Sequence, residues 1–297
     1  MKKNQIIATA AAVAGIGFLA YNKATTVNFG DIVIDGIPEK SDEAVRVMSY
    51  NLRYCNDKDG SVKNRSKITS AIISQYAPDS FGVQEANGRW LDILEKSLGD
   101  KYAYVAQTRD TQGYKSERNA VFYLKDKYAL IDSGTIWLSE KPNVPFSKSF
   151  NTNCTRIATW AVLENKETGL RYTHLNTHLD HILEETRVCQ VKVLLEKLRE
   201  LQKDGKVVCT GDFNTHPESE VYAVMTQVTD DTRVTASNTD SGNTFHDYGR
   251  RANENENIID YIFVSKDTNV DTFRIIRNTA KGMYSSDHYP IVADIII

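Results

Sequence analysis

Cysteine is scarce in this chain: Cys55, Cys154, Cys189 and Cys209 are the four in 297 residues. None falls in a CxxC pair, which excludes a zinc ribbon and a thioredoxin-like redox motif. An even count would allow disulfides in an oxidising compartment. Cys209 in an apolar strand and Cys189 in a helical stretch nonetheless read as small buried hydrophobes, so free thiols are expected. Six prolines and sixteen glycines, with no low-complexity tract or fixed-period repeat, exclude collagen-like, disordered and solenoid chains. Basic charge is also short, with a formal net charge of −3. The first 26 residues hold Lys2, Lys3 and Lys23 and no acid, so the body is more acidic still. That argues against a passive nucleic-acid coat protein, which needs a basic stripe, but not against an enzyme that cuts phosphodiesters. Long hydrophobic runs are missing too. The apolar stretch Ile6 to Ala20 is short for a membrane span. Preceded by two lysines, it has the outline of a signal peptide, with an uncleaved membrane anchor as the alternative. Either way the protein is expected to be exported.

What remains is an ordinary globular composition, 41% hydrophobic and 25% charged. Residues 27–44 read as a polar connector after the leader (1–26). From Val45 onward, short strand-like runs alternate with amphipathic helices. Strands are expected at 45–50, 80–85, 119–124, 135–139, 156–163, 170–178, 206–210, 258–264 and 291–297, and helices at 66–76, 88–98, 182–203 and 218–227. In the third helix Val188, Val191, Leu195, Leu198 and Leu201 recur at three and four while Glu196 and Arg199 face out. One domain covering 45–297, of the α/β class, is the economical reading.

The strand ends carry the chemistry. In KVVCTGDFNTHPES, residues 206–219, an apolar run stops at an Asp and an Asn two positions apart. A strand that only filled a core needs neither. The bland account is a turn stabilised by Asp and Asn side chains. The same hand-over recurs, however: Asn51 after VRVMSY, Glu85 in SFGVQE, His178 in LNTHLDH and Asp260 in IIDYIFV. Alternation groups Phe81, Val83 and Glu85 on one side of their strand, and Ile258, Asp260, Ile262 and Val264 on one side of theirs. A carboxylate on an apolar face is costly unless paired, and His288 in SSDHYPI, beside Asp287, is the outstanding partner. The histidine run 174, 178, 181 has no fourth ligand suitably spaced for zinc. His174 reads as a packed strand residue, and His216 and His246 as surface or loop residues.

With SYNLRY, GVQEA, NTHLDH, TGDFN, IDYIFVS and SSDHYPI in this order, the sequence from Val45 to Ile297 resembles the endonuclease/exonuclease/phosphatase (DNase I-like) family, in a bacterial branch. The resemblance implies a four-layer α/β sandwich: two mixed β-sheets face to face, flanked by helices. It implies a metal site of Asn51, Glu85 and Asp287 for Mg²⁺, with Mn²⁺ as the alternative. It implies catalytic roles for His178, Asp212, Asn214, Asp260 and His288, and substrate contacts from Asn119 and Arg156. His181 stays outside that set.

The chemistry agrees. Mg²⁺ takes hard oxygen ligands, histidine and Asn donate to phosphoryl oxygens, and Asp212 or His288 can serve as general base. The expected function is a Mg²⁺-dependent phosphodiesterase acting as a monomer, with nucleic acid as the leading substrate. The alternatives are a phospholipid or sphingomyelin phosphodiesterase, a phosphoinositide phosphatase, or a non-catalytic binding module on the same fold. Specificity is expected in the loops 53–65, 107–118 and 232–256.

Overall fold

A computed structural model describes residues 27–28, 30–56, 61–252 and 257–297. The strands form two sheets. The first contains β1 (Ala44–Asn51), β2 (Ser80–Ala86), β3 (Tyr102–Val105), β4 (Arg118–Leu124), β10 (Asn238–Thr239), β12 (Asn269–Ile275) and β13 (Ile291–Ile296), in the order β10-β12-β13-β1-β2-β4-β3. The second contains β5 (Tyr128–Trp137), β6 (Ile157–Asn165), β7 (Arg171–His178), β8 (Lys206–Asp212), β9 (Thr229–Asp231) and β11 (Asp260–Ser265), in the order β5-β6-β7-β8-β11-β9. Both are mixed: β1–β2 and β7–β8 pair parallel, β1–β13 and β8–β11 antiparallel.

Alternation along the strands explains the layering. Met48 and Tyr50 of β1 and Phe81 and Val83 of β2 pack outward under α1 (Val62–Tyr76) and α2 (Gly88–Leu98). Leu175, Val207 and Cys209 pack outward under α3 (Glu184–Leu201) and α4 (Glu220–Met225). The opposite faces, with Val47, Val121, Val208, Ile262 and Ile295, meet between the sheets. The result is the expected four-layer sandwich. Helix α3 buries the stripe read from its spacing, with Val191 and Leu198 fully enclosed. Each such side chain contributes roughly 1.5–3 kcal/mol relative to leaving it in water.

The layer between the sheets turns polar toward one end. His174 bridges the sheets, with Nδ1 2.7 Å from Ser80 Oγ and Nε2 2.9 Å from Thr210 Oγ1. Asn176 donates to the Val83 and Ala120 carbonyls of the opposing sheet. Gly82 makes the close approach possible: a Cβ there would sit 2.3 Å from Thr210 Oγ1 and 2.5 Å from Asn176 Cγ.

Several elements differ from the sequence expectation. Strands β3, β9, β10 and β12 had no clear signal, being short or, in β12, broken by a register shift between Val270 and Thr272 that spoils alternation. The run expected at 135–139 is the end of the longer β5. The connector lies against α1: Gln75 receives the Ile34 amide and donates to the Ile32 carbonyl, and Ile34 is buried. All four cysteines are free. The leader, with residues 6–20, lies outside the described residues. Among the described ones no helix is long and apolar enough to cross a membrane.

Candidate active site

Strand register assembles the site. His178 pairs with Asp212 across β7–β8, and Asp212 with Asp260 across β8–β11, so three neighbouring strands end in functional side chains. Asn51, at the end of β1, reaches over from the other sheet and donates to Asp212 Oδ2 at 2.9 Å. His178 and Asp212, with Glu85, Asn214, Asp287 and His288, line a cleft of about 1020 Å³ at this end of the sandwich.

Glu85 arrives by a backbone irregularity. Plain alternation places it with Phe81 and Val83, under the helices. The β2–β4 register shifts between Val83 and Ala86, and Glu85 has φ 58. A left-handed non-glycine residue of this kind marks a functional position held by its surroundings. The turned carboxylate accepts from the Tyr54 amide at 2.6 Å and from Asn51 Nδ2 at 3.2 Å. Asn214 likewise departs from the strand rule: β8 ends at Asp212, and Asn214 has φ 50. Its amide nitrogen lies 3.0 Å from His178 Nε2 and donates to the Leu179 carbonyl, while its backbone N–H donates to Asp212 Oδ1 at 3.0 Å.

His288 Nδ1 sits 2.9 Å from Asp260 Oδ2, and its Nε2 lies 3.8 Å from Asp212 Oδ2. Burial works against the charged ring, but Asp260 and Asp212 outweigh it and raise its pKa to about 10. Asp212 is raised to about 7, chiefly by burial and further by Asp260, against the opposing pull of His288. His178 is pushed well below its ordinary value by burial and by Arg156, so it is neutral, and its Nδ1 is buried without a protein partner. A carboxyl poised near neutrality therefore stands between an imidazolium and a neutral imidazole.

Asp212, Asp260 and His288 hold ligand-type atoms within 4.8 Å of one another. Two of those atoms already face each other in the Asp260–His288 hydrogen bond, which suits a catalytic pair better than a cation cage. The better cation position is at Glu85 and Asp287. Both carboxylates face the Arg53 guanidinium, at 4.0 and 3.5 Å. Burial, and then Glu85, raises the Asp287 pKa even with Arg53 beside it. Two crowded hard-oxygen donors sharing one monovalent cation fit a divalent ion. Asn51 stands beside these carboxylates. Its Oδ1 accepts the Arg53 amide at 2.9 Å and its Nδ2 spans Glu85 and Asp212, so it orients carboxylates.

Asn119 also departs from expectation. Its amide donates to the Ile157 carbonyl at 2.8 Å, tying the sheets together, and it does not line the cleft. Arg156 does line it. His246 is a loop residue, as read, but a buried one: its ring stacks on Tyr289 at 3.9 Å and its backbone N–H donates to the Asp287 carbonyl. Arg53, Ser286, Arg109 and Glu117 went unassigned in the sequence. Arg53 lay inside the SYNLRY stretch, and Ser286 immediately before Asp287. Ser286 Oγ donates to the Asn51 carbonyl at 2.6 Å and locks the His288 loop to β1.

Comparison with known proteins bears on the family and the fold. The family model described as "Endonuclease/Exonuclease/phosphatase family" matches residues 48–288. A crystal structure of an endonuclease/exonuclease/phosphatase from Bacteroides vulgatus is 33% identical, with a TM-score of 0.80, covering 85% of this chain and 98% of that one. A mannosyl-6-phosphatase from Bacteroides thetaiotaomicron is 29% identical, with a TM-score of 0.78, covering 85% of this chain and 100% of that one. Among curated proteins, the CCR4-Not complex 3′-5′-exoribonuclease subunit Ccr4 of Candida albicans is 26% identical over 192 residues, 54% of this chain and 24% of that protein. Protein angel of Drosophila melanogaster is 27% identical over 148 residues, 48% of this chain and 40% of that protein. The chain therefore matches well under half the length of these curated relatives.

Proposed function

This chain belongs to the endonuclease/exonuclease/phosphatase family, and on that premise we propose that it is a phosphoester hydrolase, foremost a phosphodiesterase of the nuclease kind, dependent on Mg²⁺ or Mn²⁺. The observation that carries the reading is Asp212, held between the charged His288–Asp260 pair and the neutral His178–Asn214 pair. The Glu85–Asp287 pair stands in the same cleft.

Each residue has a defined part. Glu85 and Asp287 hold the cation, with Asn51 fixing Glu85 against Asp212. Bound there, a divalent ion supplies charge neutralisation on the phosphoryl oxygens. Asn214 and His178 lie where side-chain N–H groups reach those oxygens as charge develops. Asp212, with its pKa near 7, takes a proton from the attacking water, since a base works best when its pKa lies near the operating pH. His288, kept protonated by Asp260, stabilises the charge of the transition state. We further infer that the leader exports the protein or anchors it to a membrane.

Phosphomonoester hydrolysis on a sugar is the second reading, favoured by the likeness to the mannosyl-6-phosphatase over nearly the whole domain. A substrate panel with Mg²⁺ tests both. It comprises supercoiled DNA, single-stranded RNA, bis(p-nitrophenyl) phosphate, hexose 6-phosphates, phosphoinositides and sphingomyelin. Cleavage of a diester that stops in chelator supports the first reading, and exclusive release of phosphate from a sugar monoester supports the second. No turnover of any member sinks the enzymatic reading.

A further inference from the structure

The connector fixes where the leader meets the domain. Helix α1 runs from the cleft to the opposite end of the sandwich. It starts at the cleft, where Ser61 lines the wall and Arg65 Nη1 donates to the Leu52 carbonyl, next to Asn51, at 2.6 Å. It ends on the far side, where the Tyr76 carbonyl accepts from Arg46, near the start of β1, at 3.2 Å. The connector runs beside it in the same direction. The Val27 amide donates to Asn64 Oδ1 in the first turn of α1 at 2.9 Å, and the Ile34 amide to Gln75 Oε1 in the last turn at 3.0 Å. From Asn64 to Gln75 the helix axis covers about 16 Å. Lys40 then meets Asp79 at 2.7 Å, and the chain turns into β1 and climbs back to the cleft at Asn51.

This strap is part of the fold. Ile34 is buried, and Ile32 and Ile37 pack against the same core as α1. Lys67 donates to the Val27 carbonyl at 3.1 Å and Lys281 to the Asn28 carbonyl at 2.6 Å. Lys281 lies between β12 and β13, in the stretch that also carries Asp287 and His288, so Asn28 is held against the segment that bears the site. A flexible linker would let the leader emerge on any side of the domain. This one delivers it to the cleft end. The same end shows apolar side chains to solvent: Ile182 and Leu183, 55% and 42% exposed, follow His178 and the rim residue His181. Arg53 and Arg250, both half-exposed, stand on the cleft wall, and Lys63, Lys67 and Lys281 are exposed around Val27.

We propose that the cleft end of the sandwich is an interaction surface for a phospholipid bilayer, so that the cleft opens toward the membrane that holds the leader. The inference rests on the leader being an anchor and is independent of which phosphoester is cut. An anchor whose apolar run ends at Ala20 leaves residues 21–26 to reach Val27, a span of roughly 20 Å at full extension. The opposite end of the domain lies about 25 Å further away, the length of an eight-residue strand such as β1. Isoleucine and leucine suit the headgroup boundary, and lysine and arginine are drawn to anionic headgroups beside an anchor.

The test uses the full chain in vesicles of phosphatidylethanolamine and phosphatidylglycerol. A fluorescent label is placed by Ile182→Cys or by Leu170→Cys, with the partly exposed Cys154 and Cys189 replaced by serine. Both labelled positions are exposed, and they stand beyond opposite ends of β7, Leu170 before Arg171 and Ile182 after His178. Energy transfer to a headgroup-labelled lipid should place the Ile182 label nearer the bilayer than the Leu170 label by roughly 20 Å. Equal distances, or a Leu170 label nearer the lipid, would overturn the proposal. The readout needs no turnover, so a failed substrate panel leaves it intact. Failure of the anchor reading is seen separately by flotation: a full chain that does not float with the vesicles has no anchor, and the proposal falls with it.

Discussion

Replacing Asp260 by Asn tests whether the Asp260–His288 pair is catalytic or merely holds the fold. The substitution keeps the shape and removes the charge. The carboxylate oxygen lies 2.9 Å from His288 Nδ1, both side chains are nearly enclosed, and Asp212 Oδ2 remains 3.8 Å from the other ring nitrogen. A hydrogen bond to a charged group contributes about 1.5–3 kcal/mol. At 1.36 kcal/mol per pKa unit, the imidazolium should lose roughly 1–2 units from its value of about 10. The ring then stays mostly protonated at neutral pH, so the loss in turnover comes from a poorly held cation, not from titration. Roughly tenfold to a hundredfold is expected, approaching the hundredfold or more for His288→Ala. The alkaline limb of the kcat/KM profile should move toward neutrality by the same 1–2 units, and NMR titration of the His288 ring should follow it. The double variant should be little worse than His288→Ala, because the two act as a unit. Linkage gives a second readout. A histidine raised from 6.5 to about 10 contributes stability present in full below pH 6.5 and lost as pH rises toward 10. Asp260→Asn should flatten that decline. Near-wild-type turnover with an unmoved alkaline limb and a lowered melting temperature would refute the catalytic assignment.

Three further outcomes follow from other parts of the molecule. Burial lowers His174 to about 3, so its contribution to stability is complete above pH 6.5 and shrinks as pH falls toward 3. His174→Gln should weaken the fold at neutral pH yet reduce its acid sensitivity between pH 6.5 and 4, read by urea unfolding across pH; an unchanged slope counts against it. Gly82→Ala puts a methyl 2.3 Å from Thr210 Oγ1 and should cost about 1–3 kcal/mol or more by forcing the sheets apart, a drop of several degrees in melting temperature. An unaltered melting temperature would mean that the sheets separate freely. Glu85→Gln should weaken Mg²⁺ or Mn²⁺ binding measured by calorimetry and raise the metal concentration for half-maximal activity, with little change in melting temperature. Unchanged metal affinity would remove Glu85 from the cation site.

Local chemistry in the sequence determined the layers and most of the site. Residues with a period of two or of three and four can bury only one face, which is why β1, β8, β11 and α3 and their buried sides are legible in the sequence. A polar side chain at the end of an apolar strand is costly without a partner, so His178, Asp212, Asp260 and His288 announced themselves. Tertiary structure decided what depends on the partner strand. Register brought His178, Asp212 and Asp260 into one row, and no strand encodes its neighbour's register alone. The shift in β2 turned Glu85 from the helix side to the cleft, against the alternation rule, because the backbone at φ 58 is held by contacts from β1 and β4. The Asn51 side chain was legible as polar, but only the fold shows that its oxygen accepts the Arg53 amide while its nitrogen spans Glu85 and Asp212. Asn119 looked like a substrate contact until the opposing sheet presented the Ile157 carbonyl. The place of Arg156 is of the same kind: a sequence shows that an arginine is present, and only the packed fold shows that it is buried at the cleft wall beside His181.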